Sequence, residues 1–246
     1  MKNKTVVITG AASGLGKAIA MKFAKNGANV VVSDINEEAG HKVVKEIEAA
    51  NGIAYFVKAD TSKPEANKML VEKAIEKFGN LHYAVNNAGI GGELAETADY
   101  PIDSWKQVID VNLNGVFYGT KYQIPAIIDA GGGAIVNMAS ILGSVGTANS
   151  IAYVAAKHGV VGLTKTAAIE YSSKNVRVNS VGPGYINTPL LDALDADAKK
   201  QLVQLHPIGR LGESEEVANL VYWLCSDEAS FVTGSYYTVD GGYTAQ

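Results

Sequence analysis

Two hydrophobic patterns alternate along the chain. Short runs rich in β-branched residues recur: "KTVVITG", "NVVVSD", "IAYFVKAD", "LHYAVNNAG", "AIVNMAS", "VRVNSVGPG" and "YYTVDGG". Each is four to eight residues of near-continuous apolar character bounded by Gly, Asn or Asp, the pattern of a strand buried on both faces. Between them lie stretches with apolar residues at helical spacing. "GKAIAMKFAKNG" sets Ile19 and Phe23 four apart and stops at Asn26-Gly27; "EEAGHKVVKEIEAANG" also stops at Asn-Gly; "PEANKMLVEKAIEKFG" starts on Pro64. This alternation predicts repeated βαβ units, hence an α/β fold: one doubly wound parallel sheet with helices on both faces. With no linker, low-complexity tract or repeat in view, residues 1–246 are expected to form a single domain. One region breaks the rhythm. Residues 185–213, "YINTPLLDALDADAKKQLVQLHPIGRLGE", interrupt it before the last helix, and such insertions often cover a site.

Composition narrows the function. Of 246 residues 47% are hydrophobic, enough for a substantial core, and the net charge of −4 is spread without basic clusters. That argues against nucleic acid as the main partner. No apolar run approaches the roughly 18 residues a membrane span needs. The basic start Met1-Lys2-Asn3-Lys4 is followed only by Val6-Val7-Ile8, a first strand rather than a signal peptide. Cys225 is the sole cysteine, in "NLVYWLCSD", and reads as a small core residue; lacking a disulfide, the chain fits a cytoplasmic location. His41, His82, His158 and His206 are scattered without metal-ligand spacing, so no protein-built catalytic metal is expected.

"TGAASGLG" (9–16) falls between the first strand and the first helix. Gly10, Gly14 and Gly16 allow a tight turn and close approach of a pyrophosphate to backbone N–H groups at a helix start. Asp34 closes the second strand, where a carboxylate can accept hydrogen bonds from both ribose hydroxyls of an adenosine and repel a 2′-phosphate. Ile35 follows it and Ser13 precedes the second glycine, so the usual cations for such a phosphate are missing. NAD(H) is therefore favoured over NADP(H). The same Asp34 could instead cap the next helix.

In "SILGSVGTANSIAYVAAKHG" (140–159), Tyr153 and Lys157 would lie one helical turn apart on one face. The spacing alone does not separate chemistry from coincidence. Taken with the glycine turn, "NNAG" (86–89), Asn112 in "VNLNG", Ser140, "PG" (183–184) and Thr188, the chain resembles the short-chain dehydrogenase/reductase family from end to end. That resemblance implies a Rossmann fold and an oxidoreductase that interconverts a secondary alcohol and a ketone. It implies that Tyr153 is the general acid/base and that Ser140 polarises the substrate oxygen. Lys157 would favour the phenolate of a group whose ordinary pKa is about 10 and hold the nicotinamide ribose, and Asn112 would link Lys157 to solvent. It further assigns the cofactor to Gly10, Ser13, Gly14, Leu15, Gly16 and Asp34, to Asp60 and Thr61 at the adenine, and to Asn87, Ala88 and Gly89 at the adenosine ribose. Pro183, Gly184, Ile186 and Thr188 would pack on the nicotinamide. Asn87 and Asn112 could equally be buried amides bracing neighbouring strands.

Two positions depart from the family's frequent pattern: Ala156 stands before the lysine where serine is common, and Ser214 replaces a proline at a helix start, where it reads as an N-cap. The pocket is expected from Ile141 and Leu142, Asn149 and Ser150, Tyr185, and an insertion carrying Leu190, Leu191, Leu194, Leu202 and Leu205, which could equally be packing. Lacking an arginine clamp, it suits a small neutral ketone or secondary alcohol. "GPGYINTPL" and "VDGGYTAQ" look most like bacterial secondary-alcohol dehydrogenases and carbonyl reductases. Some of these carry a structural divalent ion near the chain's end, to which the Gln246 carboxylate would be a single ligand. A 3-oxoacyl-thioester (acyl-carrier-protein) reductase is the runner-up; diol, acetoin and sugar dehydrogenases remain open. The non-enzyme alternative, an NAD-binding regulatory module, has no need to keep Ser140, Tyr153 and Lys157 together. The family resemblance implies a homotetramer.

Overall fold

The computed structural model describes residues 1–191 and 195–246. Every β-branched run becomes a strand: β1 (Thr5–Thr9), β2 (Asn29–Asp34), β3 (Ile53–Lys58), β4 (Tyr83–Asn86), β5 (Gly133–Met138), β6 (Val176–Pro183) and β7 (Tyr236–Val239). All pair in parallel, in the order β3-β2-β1-β4-β5-β6-β7. The helices are α1 (Gly14–Lys25), α2 (Glu37–Ala49), α3 (Pro64–Phe78), α4 (Ile102–Ile109), α5 (Gly115–Asp129), α6 (Ile151–Tyr171), α7 (Ala196–Gln204) and α8 (Ser214–Cys225). Strand order reverses between β1 and β4, so a crevice opens there at the carboxyl ends of the strands.

Period-two alternation divides the core in two. Val6, Ile8, Val30 and Val32 pack with Ile19 and Phe23 of α1, Val43 and Ile47 of α2, and Val217, Val221 and Leu224 of α8. Val7 and Val31 turn to the other face, against Leu70 and Val71 of α3 and Ile124 and Ile127 of α5. Each such side chain contributes roughly 1.5–3 kcal/mol on full burial, whereas an exposed ion pair such as Lys17–Glu46 contributes about 0–1 kcal/mol. The two apolar layers therefore hold the sheet. Cys225 is 1% exposed in the first layer, and burial pushes its thiol up to about 12, which fits a packing residue and not a nucleophile.

The start of α8 corrects one sequence expectation. Its N-cap is Glu213, not Ser214. Glu213 N–H donates to Glu216 Oε2 at 2.8 Å while the Glu213 carboxylate accepts from the Glu216 N–H, a reciprocal capping box. Ser214 is the first helical residue, the place Pro64 takes in α3; an N–H there is unbonded within the helix, so proline and serine are both accommodated.

The 185–213 segment is pinched at its neck. Asn187 N–H donates to Gly212 O at 2.8 Å and Gly212 N–H to Tyr185 O at 3.0 Å. Within it α7 has no buried residue; Leu191 and Leu202 are half-buried and Leu205 is exposed. Leu194 lies outside the described residues, as does the side chain of Leu190. Among the described residues no helix is long and apolar enough to cross a membrane.

Candidate active site

The glycine turn sits at the strand-order reversal and is tied down on two sides. Gly10 and Gly14 have φ of +62° and +50°, and a Cβ on Gly16 would collide with the Gly10 carbonyl oxygen. Thr9 Oγ1 accepts the N–H groups of Asn87 (3.0 Å) and Ala88 (3.1 Å). Asn87 Nδ2 returns bonds to the carbonyls of Thr9 (2.9 Å) and Gly10 (3.1 Å). The amide of Asn87 is thus a brace between the ends of β1 and β4. Thr9 does as much of this work, yet only its partners 78 and 79 residues away reveal it.

Asp34 secures the other side. Its Oδ2 accepts from Ala12 N–H and its Oδ1 from Asn36 N–H, both at 3.0 Å. It does not cap α2; Asn36 does, accepting from Ala39 N–H at 3.1 Å. Ser13 is the N-cap of α1 with extended backbone and no side-chain bond to the helix, and no acid stands in the first turn. Leu15 packs against the first core layer. Thr188 lies across the crevice, where a Cβ on Gly14 would be 3.7 Å from Thr188 Cβ. Asp60 is at the surface, with Oδ1 taken by Ser62 N–H and Oγ. Thr61 is buried and, with Thr9, Ala88 and Gly115, lines one narrow gap. Ile186 is buried in the first core layer at the neck of the 185–213 segment, and Pro183 ends β6.

The catalytic candidates converge at the ends of β4 and β5. Ser140 follows β5 and opens a short 3-10 turn, Ile141–Gly143, its Oγ accepting from Leu142 N–H at 3.2 Å. That leaves the hydroxyl proton free to donate. Tyr153 and Lys157 stand in the first two turns of α6, with Lys157 Nζ 5.4 Å from the centre of the Tyr153 ring. Ala156, between them in sequence, is fully buried, a place where a small apolar side chain fits. Lys157 is 4% exposed and donates to Met138 O at 2.7 Å. Asn112 occupies a π-helical turn, Asp110–Asn114, between α4 and α5. Its amide makes a two-way pair with Ile90, accepting N–H and donating to C=O at 2.8 Å each. A Cβ on Gly89 would lie 3.3 Å from Asn112 Oδ1 and 3.7 Å from Lys157 Nζ, so Gly89 is where these two groups come together.

Burial governs the titration of both Tyr153 and Lys157. It raises Tyr153 above the ordinary phenol range; hydrogen bonding from the Ser140 side chain works against this, and neighbouring Tyr185 adds to it. It lowers Lys157 to about 8. Within the chain, Ser140 is thus the group that favours the phenolate, with the Lys157 ammonium 5.4 Å from the ring centre.

Around Tyr153 the surface is apolar. Ile90, Ala95, Tyr100, Val108, Ile151 and Ala152 cluster with it, and Ala95 N–H donates to Asn149 O at 3.1 Å, tying the loop after β4 to the start of α6. Leu142 is buried. On the far side Tyr185 stacks edge-on with His206 and Tyr243. His206 Nε2 accepts Tyr185 N–H at 3.2 Å, and Gly184 fits because a Cβ there would crowd His206 and Asp240. Neither His206 nor Tyr243 carried a local sequence signal.

These residues fit a dinucleotide. The turn is glycine at 10, 14 and 16, it opens a helix whose N-cap side chain makes no bond to it, and a carboxylate held by two N–H groups ends the next strand. Among the described residues no group of three or more His, Cys, Asp or Glu side chains is placed to hold a metal ion.

Comparison with known proteins agrees. A family model described as "Enoyl-(Acyl carrier protein) reductase" matches residues 10–244. A cyclohexanol dehydrogenase of Acinetobacter sp. (strain SE19) is 57% identical, covering 99% of this chain and 96% of that protein. A cis-4-hydroxycyclohexanecarboxylate dehydrogenase of Sinomonas cyclohexanicum is 43% identical over 98% of this chain and 97% of that protein. Among solved structures, a short-chain type dehydrogenase/reductase from Mycobacterium ulcerans superposes with a TM-score of 0.97 at 32% identity, covering 100% of this chain and 91% of that one.

Proposed function

The chain belongs to the short-chain dehydrogenase/reductase family, and on that premise we propose that it oxidises a carbocyclic secondary alcohol with NAD, Tyr153 taking the hydroxyl proton. Interconversion of a secondary alcohol and a ketone with a nicotinamide cofactor is the activity of the chain. The ring-shaped substrate, the choice of NAD and the residue roles are the proposal.

The observation that carries it is the convergence of Ser140, Tyr153 and Lys157 below an apolar wall. The nicotinamide, when bound, supplies the acceptor for the carbon-bound hydride. Ser140 Oγ, oriented by Leu142 N–H, donates to the substrate oxygen and holds it beside the Tyr153 hydroxyl. Tyr153 as phenolate accepts the alcohol proton; as phenol it returns that proton to a ketone oxygen. Lys157 keeps a cation over the Tyr153 ring, and Asn112 fixes the loop that covers it. The glycine turn and the start of α1 hold the pyrophosphate, and Asp34 the adenosine ribose.

Two features support the substrate and the cofactor. Both arginines are committed elsewhere, Arg177 to the carbonyls of Leu224 (2.6 Å) and Ser226 (3.0 Å), Arg210 to Glu216 (2.7 Å). A neutral ring packing on Ile90, Tyr100 and Ile151 is favoured over an anionic substrate. Lys58 is the register neighbour of Asp34, but its ammonium pairs with Glu37 at 3.4 Å, which favours a free 2′-hydroxyl over a 2′-phosphate. The test is Tyr153→Phe: turnover of a cyclic alcohol should be lost and NAD binding kept. Retained turnover overturns the assignment of the proton to Tyr153.

A further inference from the structure

Tyr236 reaches the site from the edge strand β7. Its hydroxyl donates to the carbonyl oxygen of Ser140 at 2.6 Å, across 96 residues of sequence. The same oxygen accepts Gly143 N–H at 2.8 Å, so it carries two bonds that fix the peptide following Ser140. The room for the ring comes from Gly182 of β6. A Cβ there would strike the Tyr236 hydroxyl oxygen and lie 2.6 Å from Cε2 and Cζ. Gly182 pairs with Thr238 in the β6–β7 register, and Ser180 pairs with Tyr236 itself, so the ring lies along β6 toward its carboxyl end. Burial raises the Tyr236 phenol, which keeps it a donor across the working range.

Resting on the role given above to Ser140, we propose that Tyr236 is a positioning residue for catalysis: through the Ser140 carbonyl it fixes the turn that aims Ser140 Oγ, and Gly182 is the space that lets it do so. Separate bonds hold the side chain and the carbonyl of Ser140. Leu142 N–H on Oγ sets where the hydroxyl points, and Tyr236 on the carbonyl sets where the peptide lies. Without the second, Oγ keeps its chemistry and loses its aim. Misaligning a catalytic group costs turnover more than substrate binding. Because the Ser140 side chain favours the Tyr153 phenolate, a poorly aimed Ser140 also moves Tyr153 upward.

The experiment compares wild type, Tyr236→Phe, Ser140→Ala and the double variant in the full chain. Phenylalanine keeps the ring, and a melting curve checks that the fold is kept. Cyclohexanol oxidation with NAD should fall about tenfold in kcat for Tyr236→Phe, the loss of one well-placed hydrogen bond, with KM changed less than about twofold. The Tyr153 ring resonance, labelled and assigned with Tyr153→Phe, should titrate at higher pH in Tyr236→Phe, a readout that needs no substrate. Neither effect should add to that of Ser140→Ala. Gly182→Ala, which displaces the ring and keeps the hydroxyl, should give the same signature. An unchanged Tyr153 titration in Tyr236→Phe, or an equal further loss in the Ser140→Ala background, overturns the proposal. Full activity in Ser140→Ala alone would instead remove the role of Ser140, an outcome visible in its own arm.

Discussion

Lys157 Nζ donates to the carbonyl oxygen of Met138 at 2.7 Å, so the buried cation of the site hangs from the last residue of β5. The bond keeps the ammonium beside the Tyr153 ring and close to Gly89, and it ties the second turn of α6 to the sheet. A charged-group hydrogen bond of this kind offsets part of the desolvation cost but not all of it, since burial still lowers Lys157 to about 8.

That depression has a sign. Between about 8 and the ordinary 10.5 the unfolded lysine holds a proton that the folded one has released, so this group makes stability rise with pH across that window. Wild type should therefore gain on Lys157→Met by up to about 3 kcal/mol as pH is raised from 7 to above 10. Urea unfolding of both proteins at several pH values measures it. A constant difference would mean that Lys157 is not buried as described.

Tyr153 is raised by burial, and as the proposed acid/base it then sets the pH dependence of each direction. Alcohol oxidation needs the phenolate and should climb toward alkaline pH. Ketone reduction needs the phenol and should hold through neutrality, falling only at alkaline pH. Steady-state rates in both directions from pH 6 to about 8, below the loss of the Lys157 proton, check this; an oxidation rate that falls with rising pH in that window would contradict it.

Much of this site was legible along the chain because its signals are local. The seven strands follow from β-branched runs and the glycine turn from its place between a strand and a helix; the strand order that opens the crevice is not readable there, and Ser140, Tyr153 and Lys157 are drawn together by family resemblance, not by spacing. What stayed hidden depends on distant partners. Thr9 matters because of Asn87 and Ala88, Tyr236 because of Ser140 and Gly182, and His206 because of Tyr185. A buried ladder joining Gln123, Asn86, Asn137 and Thr164 at 2.8–3.0 Å couples α5, β4, β5 and α6. Single polar residues in apolar runs gave no hint of that pairing. Ser214 looked like a cap because its type prefers caps; the reciprocal bonds of Glu213 and Glu216 decided the position instead.

Asp34 braces Ala12 and Asn36 and is proposed to select the cofactor, and substitution should separate the two. Asp34→Ala removes the acceptor for Ala12 and Asn36 N–H, at a cost of about 1–3 kcal/mol. It should also reduce kcat/KM with NAD more than with NADP, narrowing their ratio. Unfolding curves and paired kinetics with both cofactors read the two effects; a ratio left unchanged would detach Asp34 from cofactor choice.

Gly16 and Asn112 predict opposite failures. Gly16→Ala drives a Cβ into the Gly10 carbonyl and should abolish dinucleotide binding by calorimetry while the rest of the sheet folds. Asn112→Ala strips both bonds from Ile90 and should lower stability by about 1–3 kcal/mol and slow turnover, with NAD binding reduced little. Binding unaffected in Gly16→Ala would place the pyrophosphate elsewhere.

The most direct measurement follows NADH and NADPH formation by the purified chain with cyclohexanol, a linear secondary alcohol and a 3-hydroxyacyl thioester, with Tyr153→Phe in parallel. Turnover should be greatest with cyclohexanol and NAD, reduced by at least about 100-fold in the variant. Preference for the thioester with NADPH, or a variant as active as wild type, would contradict it.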